Sequence, residues 1–345
     1  MGFAACVKVL IAMMGTREKT MNRKALLTGF TVIALGIIVA GGGLIYLQQT
    51  ASGTDTLGTP SIPNILGPSG PYILAVPFPD VNDSYPVYRT VPPDTSAEEI
   101  RRIGNLFGVS GDVKGPQTSN GEAKIVDDSK GSAERFYYYT NSGAFRYSIP
   151  EKEYPNTPDR QPNLPSDEEA RVIAATYLKE RGLLPEDVHF EEVRIGCSYE
   201  SSTLTSHTVY TLTKQVSFIK EIQGLQVYHA GVGVTIVENG EVVSAGSTLR
   251  KFDPKPVRDV KIVTPEQAYQ RLSSGDVVIQ PLSEDYDKIV VTNISLGYWM
   301  ETKTEPQKYI VPVYVFSGLA VWDGKSEEIV RYVSAIDPSE VQDLT

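Results

Sequence analysis

An uncharged apolar stretch near the start of the chain constrains most strongly what the chain can fold into. Residues 25–47 read ALLTGFTVIALGIIVAGGGLIYL, and about 20 apolar residues in a helix cross the ~30 Å hydrocarbon core of a bilayer. Five basic residues and one acid precede the stretch, whereas no basic residue follows it until Arg89. By the positive-inside rule, this asymmetry predicts a cytoplasmic tail over residues 1–24, a single transmembrane helix over residues 25–47 and an extracytoplasmic C-terminal portion.

A cleaved signal peptide is the alternative interpretation of this stretch. The apolar region of a signal peptide usually runs about 7–15 residues and ends at a site resembling A-x-A. The stretch here is longer, and the small residues at 50–52 make a poor cleavage site. We therefore predict a retained anchor and a cell-membrane location, with the membrane as one partner.

The charge of the chain restricts its other partners. The 345 residues carry a net charge of −10; the first 47 contribute +4, from five basic residues and one acid, so the remainder carries −14. Proteins that bind nucleic acid rely on a basic surface. We therefore expect no nucleic-acid partner, and we predict a protein or peptide of the cell envelope instead.

After the apolar stretch, the sequence reads as a linker followed by helix starts and strands. Residues 48–84 are rich in Gly, Pro, Ser and Thr and show no periodic pattern, which is typical of a linker. Ser or Thr followed three residues later by Glu or Gln predicts a helix start with a capping box. This pattern occurs at Ser96 with Glu99, Ser166 with Glu169, and Thr264 with Gln267. Several strand-like runs follow each helix start, and Asn239-Gly240 among them predicts a type I′ hairpin turn.

The recurrence of one helix and several antiparallel strands predicts an α+β fold class rather than a parallel α/β domain. We expect a first α+β unit over residues 85–163, a second over residues 164–254 and a C-terminal unit over residues 255–345. The alternative is that capping boxes recur by chance. The matching strand content after each helix favours repetition of tandem helix-plus-antiparallel-sheet units.

The second unit contains a pattern of glycines and alternating apolar residues. Residues 216–249 read VSFIKEIQGLQVYHAGVGVTIVENGEVVSAGSTL. The pattern lies at Gly224, Val227, Val232, Val234, Ile236, Asn239, Gly240, Val243 and Ser244. With these residues the unit resembles the PepSY and thermolysin-propeptide type of module, and the strand at 309–316 is similar to the ending of tandem modules in YycH- and YycI-type membrane-anchored regulators. The resemblance implies binding of peptides or protein domains.

Few residues of the chain form a pattern that carries chemistry. His189, His207 and His229 show no metal-ligand spacing, whereas a zinc site needs three or four converging ligands. The run from Ser217 to Lys220 matches S-x-x-K, but the S-D-N and K-T-G elements of penicillin-binding proteins are absent. We therefore predict no catalytic residues, no metal site and no cofactor.

Aromatic side chains are the candidates for binding, since the chain holds 19 tyrosines. Rings on an exposed sheet face suit the recognition of glycans or peptides, and filling of the core is the alternative role. We select Tyr138 and Trp322 as candidate partner-binding residues. Asn82 and Asn293 each begin an N-x-S sequence and are candidate glycosylation sites.

These features together predict a single-pass, membrane-anchored, extracytoplasmic binding or regulatory protein, and not an enzyme. We expect it to act by contact with a protein or peptide rather than by turnover. Two alternatives stay open: a cell-envelope hydrolase with an unrecognised site, and a structural surface protein.

Overall fold

The computed structural model describes residues 6–11, 70–116, 120–155, 158–202, 207–277 and 286–340. The strands of this part of the chain are β1 (Cys6–Ile11), β2 (Tyr72–Leu74), β3 (Ser84–Arg89), β4 (Glu122–Asp127), β5 (Glu134–Tyr139), β6 (Phe145–Ser148), β7 (Val188–Ser202), β8 (His207–Ile222), β9 (Leu225–Ile236), β10 (Val242–Ser247), β11 (Arg258–Lys261), β12 (Lys288–Trp299), β13 (Tyr309–Trp322) and β14 (Lys325–Ser334). Its α-helices are α1 (Ala97–Asn105), α2 (Pro150–Glu153), α3 (Asp167–Glu180) and α4 (Pro265–Ser274).

The fourteen described strands belong to one mixed sheet. Nine of them follow one another in the order β11-β3-β13-β12-β9-β10-β6-β5-β4. The others join beside this path: β8 pairs with β9, β7 with β8, β1 with β7, β2 with β12, and β14 with β13. The β1–β7, β2–β12 and β9–β12 pairs are parallel, whereas the remaining pairs are antiparallel.

The expected fold class, α+β with an N-terminal transmembrane helix and tandem units, is wrong. The strands that follow each helix do not form separate sheets, because β10 pairs with β6 and β9 pairs with β12. An open strand edge leaves backbone N–H and C=O groups unpaired, and pairing across the expected boundaries satisfies these groups. The described chain is therefore one large, mostly antiparallel sheet with short helices.

The predicted transmembrane helix, residues 25–47, lies outside the described residues. None of the helices in the described ranges combines the length and the apolar character that crossing a bilayer requires. This finding overturns the predictions of a single-pass membrane protein, of the membrane as a partner, and of a cell-membrane location with an extracytoplasmic C-terminal portion.

The three helix starts predicted from capping patterns are confirmed. The Glu99 amide donates a hydrogen bond of 3.2 Å to Ser96 Oγ at the start of α1. Complete capping boxes at Ser166 and Thr264 begin α3 and α4. These bonds join residues three positions apart, so they form wherever the local sequence allows them.

The helices pack on one face of the sheet through alternating strand residues. One apolar cluster joins α3 to the centre of the sheet and includes Ala170, Ala174, Leu178, Val216 and Phe218. Another joins α4 to the strands β12 to β14 and includes Ala268, Leu272, Ile294, Phe316 and Val333. Because successive strand residues point to opposite faces, the neighbours of these strand residues face away from α3 and α4.

The hairpin turn predicted between β9 and β10 is confirmed. Asn239 has φ +61° and Gly240 has φ +79°, and a type I′ turn requires positive φ at both central positions. The Val237 amide donates to the Glu241 carbonyl at 2.9 Å and closes the turn. A Cβ atom on Gly240 would lie 2.9 Å from Ile173 Cδ1 on α3, so a side chain at position 240 would require the end of the Ile173 side chain to move.

We expect Gly240→Val to lower the free energy of unfolding by about 2 kcal/mol, because a β-branched residue disfavours positive φ and the new side chain collides with Ile173. Gly224→Val is the matched control, since Gly224 also has positive φ but nothing lies within 4 Å of its Cβ position. Urea denaturation measures both variants. A loss at Gly240 no larger than the loss at Gly224 would show that the contact with Ile173 is misplaced.

Candidate functional site

The candidate site is a cleft on the sheet face opposite α3 and α4, at the point where β9 changes its neighbours. Residues 231–236 of β9 pair with β8, whereas residues 227–228 pair with the end of β12. Ile219 of β8 pairs with Gly231 of β9, and Glu221 of β8 pairs with Gln226 of β9. One residue of β8 therefore lies opposite four residues of β9. Residues 227–230 therefore bulge out of the β8 pairing, and the cleft opens beside this bulge.

The cleft has a volume of about 280 Å³ and is lined by side chains from β7, β8, β9, β12, β13 and β14. Ser217, Ser295 and Ser317 line it. The residue next to each serine packs against a helix, so the serine points to the opposite face, where the cleft lies. Asn293 adds an amide group, and its Nδ2 donates to Ser317 Oγ at 3.4 Å. The cleft wall is therefore rich in hydrogen-bonding groups.

Four rings form an aromatic cluster beside the bulge: Tyr228, His229, Trp299 and Tyr332. The ring centroids of His229 and Trp299 are 4.4 Å apart, those of Trp299 and Tyr332 are 4.9 Å apart, and those of Tyr228 and Tyr332 are 5.3 Å apart. Tyr228, His229 and Tyr332 line the cleft, whereas Trp299 is 1% exposed and lies behind them. The cluster thus gives the cleft a rigid aromatic wall.

Tyr228 is held in place by both of its neighbours on β12. Its hydroxyl lies 3.3 Å from Ser295 Oγ. Its ring passes so close to Gly297 that a Cβ atom there would lie 2.5 Å from Tyr228 Cε2. Glycine at position 297 therefore provides the space in which the Tyr228 ring lies.

His229 has an unusual backbone conformation and a shifted pKa. Its φ is +66°, which is uncommon for a residue other than glycine and is found more often at functional sites. Burial lowers the pKa of His229 to about 4, so the imidazole is neutral at pH 7. In the described part of the chain, no group hydrogen-bonds to its buried Nδ1.

The charged residues of the cleft lie together on β7 and are Glu191, Glu192 and Arg194. Glu192 Oε1 lies 3.6 Å from Arg194 Nη1, and Arg194 Nε donates to Gln215 Oε1 at 3.1 Å. Glu191 forms no ion pair within 4 Å with any residue that the structure describes. Loss of hydration raises the pKa of Glu191, and the charge of Glu192 raises it further.

The groups of the cleft suit noncovalent binding. Within the described ranges, no three His, Cys, Asp or Glu side chains are placed to hold a metal ion together. A second, wider cleft of about 590 Å³ lies between the start of α3 and the β9–β10 turn, and its walls contain no aromatic ring. Both clefts contain carboxylates, since Glu168 and Glu169 line the second one, so the aromatic cluster makes the first cleft the better candidate.

The structure places both candidate partner-binding residues outside this cleft. Tyr138 is 2% exposed in the core around α1, and its hydroxyl donates to the Asp94 carbonyl at 2.8 Å. A buried ring does not reach a partner, so the expectation of an exposed Tyr138 is corrected. Trp322 is half-buried, and its ring centroid lies 5.3 Å from that of Tyr286.

Sequence reasoning missed Tyr228 and Tyr332 and treated His229 as an ordinary strand residue. It assigned Glu191 and Glu192 to opposite, solvated strand faces, whereas the irregularity of β7 between Phe190 and Glu192 lets both line the cleft. Adjacent residues of a regular strand face opposite sides. The sequence alone therefore does not predict that Tyr228 and His229 line the same site. Both line the cleft because the positive φ of His229 interrupts the strand. The available signal was Gly231, since a glycine inside a strand pattern indicates a bulge.

Comparisons with known proteins give little information on function. No family model matches the chain, and no curated protein matches it. Among solved structures, the chain is similar to an uncharacterised protein from Eubacterium rectale, with 10% identity and a TM-score of 0.37 over 75% of this chain and 85% of that one. The resemblance to PepSY modules stays a prediction.

Proposed function

We propose that the protein is a binding protein that holds a short peptide segment of a partner in the cleft and acts by contact rather than by turnover. The observation that supports this proposal is the position of the cleft. It lies on the sheet face opposite α3 and α4, where rings and hydroxyl groups from five strands converge with the charged side chains of β7. Strands carry these groups on a rigid framework, which reduces the entropy lost on binding.

The size of the cleft favours a peptide segment over a folded domain or a large cofactor. Its volume of about 280 Å³ is near the lower limit of small-molecule pockets, which span roughly 300–1,000 Å³. One or two side chains fill such a space. The hydroxyl groups of Ser217, Ser295 and Ser317 lie where they can hydrogen-bond to the backbone of an extended segment.

The experiment is a selection of heptapeptides from a random displayed library on the purified protein, followed by titration calorimetry of the selected peptides. Val330→Trp fills the cleft, because Val330 lines it and is 39% exposed. Leu319→Trp is the matched control, since Leu319 is 40% exposed on β13 and does not line the cleft.

We expect the selected peptides to bind Val330→Trp at least about tenfold more weakly than they bind the unaltered protein, because a filled pocket excludes the anchoring side chain. Leu319→Trp should bind them unchanged. Circular dichroism verifies that both variants are folded. The proposal is refuted if no peptide is selected, or if both variants bind the peptides equally well.

A further inference from the structure

We infer that the side chain bound in the cleft is positively charged, a lysine or an arginine of the partner peptide, with its charge facing Glu191 and its stem against Tyr228 and Tyr332. This inference rests on the proposed function and adds to it the chemical class of the ligand. It depends on the charge balance of the cleft, on the orientation of its rings and on the neutrality of His229.

The charge balance of the cleft favours a cation. Glu191, Glu192 and Arg194 are its charged lining residues, so the formal net charge of the lining is one negative charge. The Arg194 guanidinium is already engaged by Glu192 and by Gln215. Glu191 is solvent-exposed and is the carboxylate that a ligand reaches without displacing Arg194, so a cation beside it gains a charge-assisted contact with the Glu191 carboxylate.

Glu191 lines the same cleft as the rings of Tyr228 and Tyr332. Burial raises the pKa of the Tyr228 and Tyr332 hydroxyls, and the charge of Glu191 contributes to the rise at both residues. Since Glu191, Tyr228 and Tyr332 line one cleft of about 280 Å³, a cation that contacts Glu191 in the cleft also faces these rings. The Glu191 carboxylate and the two tyrosine rings therefore attract a cation within the same cleft.

The rings are oriented as two walls of an aromatic corner. The planes of Tyr228 and Tyr332 meet at 64°, with centroids 5.3 Å apart. The face of an aromatic ring attracts ammonium and guanidinium groups, and a lysine or arginine stem packs well on it. Neutral apolar side chains pack on the rings, but they gain neither the attraction of a cation to the ring face nor an ionic contact with Glu191.

His229 completes the wall without opposing a cation. Burial lowers the pKa of the imidazole to about 4, so it carries no positive charge at pH 7. An anionic ligand finds the opposite environment, because Glu191 repels it and the ring faces carry partial negative charge. The cleft therefore discriminates by charge as well as by size.

The experiment uses three capped tripeptides, acetyl-Gly-X-Gly-amide, in which X is lysine, arginine or norleucine. Norleucine has a straight stem like that of lysine but no charge. Binding is read from the indole N–H resonance of Trp299 in protein that carries Trp322→Phe, since the chain contains 2 tryptophans. Glu191→Gln removes the proposed counter-charge, and Glu98→Gln on α1 is the control with the same change in net charge.

We expect the lysine and arginine tripeptides to shift the Trp299 resonance saturably and to bind about tenfold more tightly than the norleucine tripeptide. Glu191→Gln should weaken their binding about tenfold, whereas Glu98→Gln should leave it unchanged. Val330→Trp should abolish the Trp299 shift for all three tripeptides; the resonance of its added indole is identified by comparison with the protein that carries Trp322→Phe alone.

The outcomes separate this inference from the proposed function. If norleucine binds as tightly as lysine, or if Glu191→Gln has no effect while Val330→Trp still blocks binding, the cleft binds peptides but the inference is overturned. The same holds if the selected heptapeptides bind in the cleft and the cationic tripeptides do not. If Val330→Trp leaves the binding of every peptide intact, the proposed function itself is overturned.

Discussion

Arg250→Met is expected to lower the free energy of unfolding by about 3 kcal/mol, because it removes a buried guanidinium that donates to four backbone carbonyls. Arg250 is 7% exposed. Its Nη1 donates to the Asn141 carbonyl at 3.2 Å. Its Nη2 lies within hydrogen-bond distance of the Glu301 (3.2 Å), Thr302 (2.7 Å) and Glu305 (2.6 Å) carbonyls. Methionine fills much of the space but leaves these acceptors without their donor.

The effect of Arg250 should extend to the candidate site. Three of the four carbonyls that it binds, those of Glu301, Thr302 and Glu305, belong to the connection between β12 and β13, which begins just after Trp299 of the aromatic cluster. Ser142 Oγ also donates to the Lys303 carbonyl (2.6 Å), and Asn141 Nδ2 donates to the Thr304 carbonyl (2.8 Å). Arg250 thus holds this connection against the turn between β5 and β6 by hydrogen bonds to both segments. Loosening it should broaden the indole resonance of Trp299.

Chemical denaturation of Arg250→Met, Arg250→Lys and Arg101→Met tests this prediction. Lysine keeps the charge but not the planar fork of donors, so Arg250→Lys should fall between the other two variants. Arg101 is exposed on α1, and Arg101→Met should change the free energy of unfolding by less than about 0.5 kcal/mol. Equal stability of the two methionine variants would contradict the assigned role of Arg250.

The features that the sequence predicts correctly are those set by neighbours along the chain. Ser166 and Thr264 cap helices through bonds to residues three positions away. Asn239 and Gly240 adopt positive φ because the short polar side chain of asparagine tolerates it and glycine has no Cβ atom to oppose it. Each of these signals is contained in four or five consecutive residues, so no knowledge of the remaining chain is needed.

The pairing of the strands into one sheet, in contrast, depends on contacts between residues that are distant in the sequence. Residues 72–74 lie in a segment with the composition of a linker, yet they form β2 because β12 offers an open edge for parallel pairing. β9 pairs with β12 through only two residues, Val227 and Tyr228. Alternation of apolar residues shows that a strand has a buried face, but it does not show which strand lies beside it.

The candidate site is unpredictable for the same reason. Its lining comes from six strands between Glu191 and Tyr332, and the sequence contains no motif that brings them together. Local signals also misjudge single residues. Tyr138 lies in a run of three tyrosines that reads as a surface for binding, but the packing of α1 on β5 places its ring in the core.

Gly318→Ala is expected to lower the free energy of unfolding by about 3 kcal/mol, because β12 approaches Gly318 too closely for any side chain. A Cβ atom on Gly318 would lie 1.9 Å from the Val290 carbonyl oxygen and 3.0 Å from Val291 Cα. Both are backbone atoms, so no side-chain rotation relieves the overlap. The β12–β13 ladder must separate at this point, beside its irregularity between Val291 and Asn293.

Separation of this ladder should also weaken binding in the cleft, because Ser317 and Asn293 line it from the two strands that move apart. Gly324→Ala is the matched control. Gly324 has φ +73° but nothing lies within 4 Å of its Cβ position, so alanine there costs about 1 kcal/mol through backbone strain alone. Urea denaturation and titration with the selected heptapeptides measure both effects. If Gly318→Ala is no less stable than Gly324→Ala, the close approach of β12 and β13 is incorrect, because a backbone collision must cost more than a strained turn.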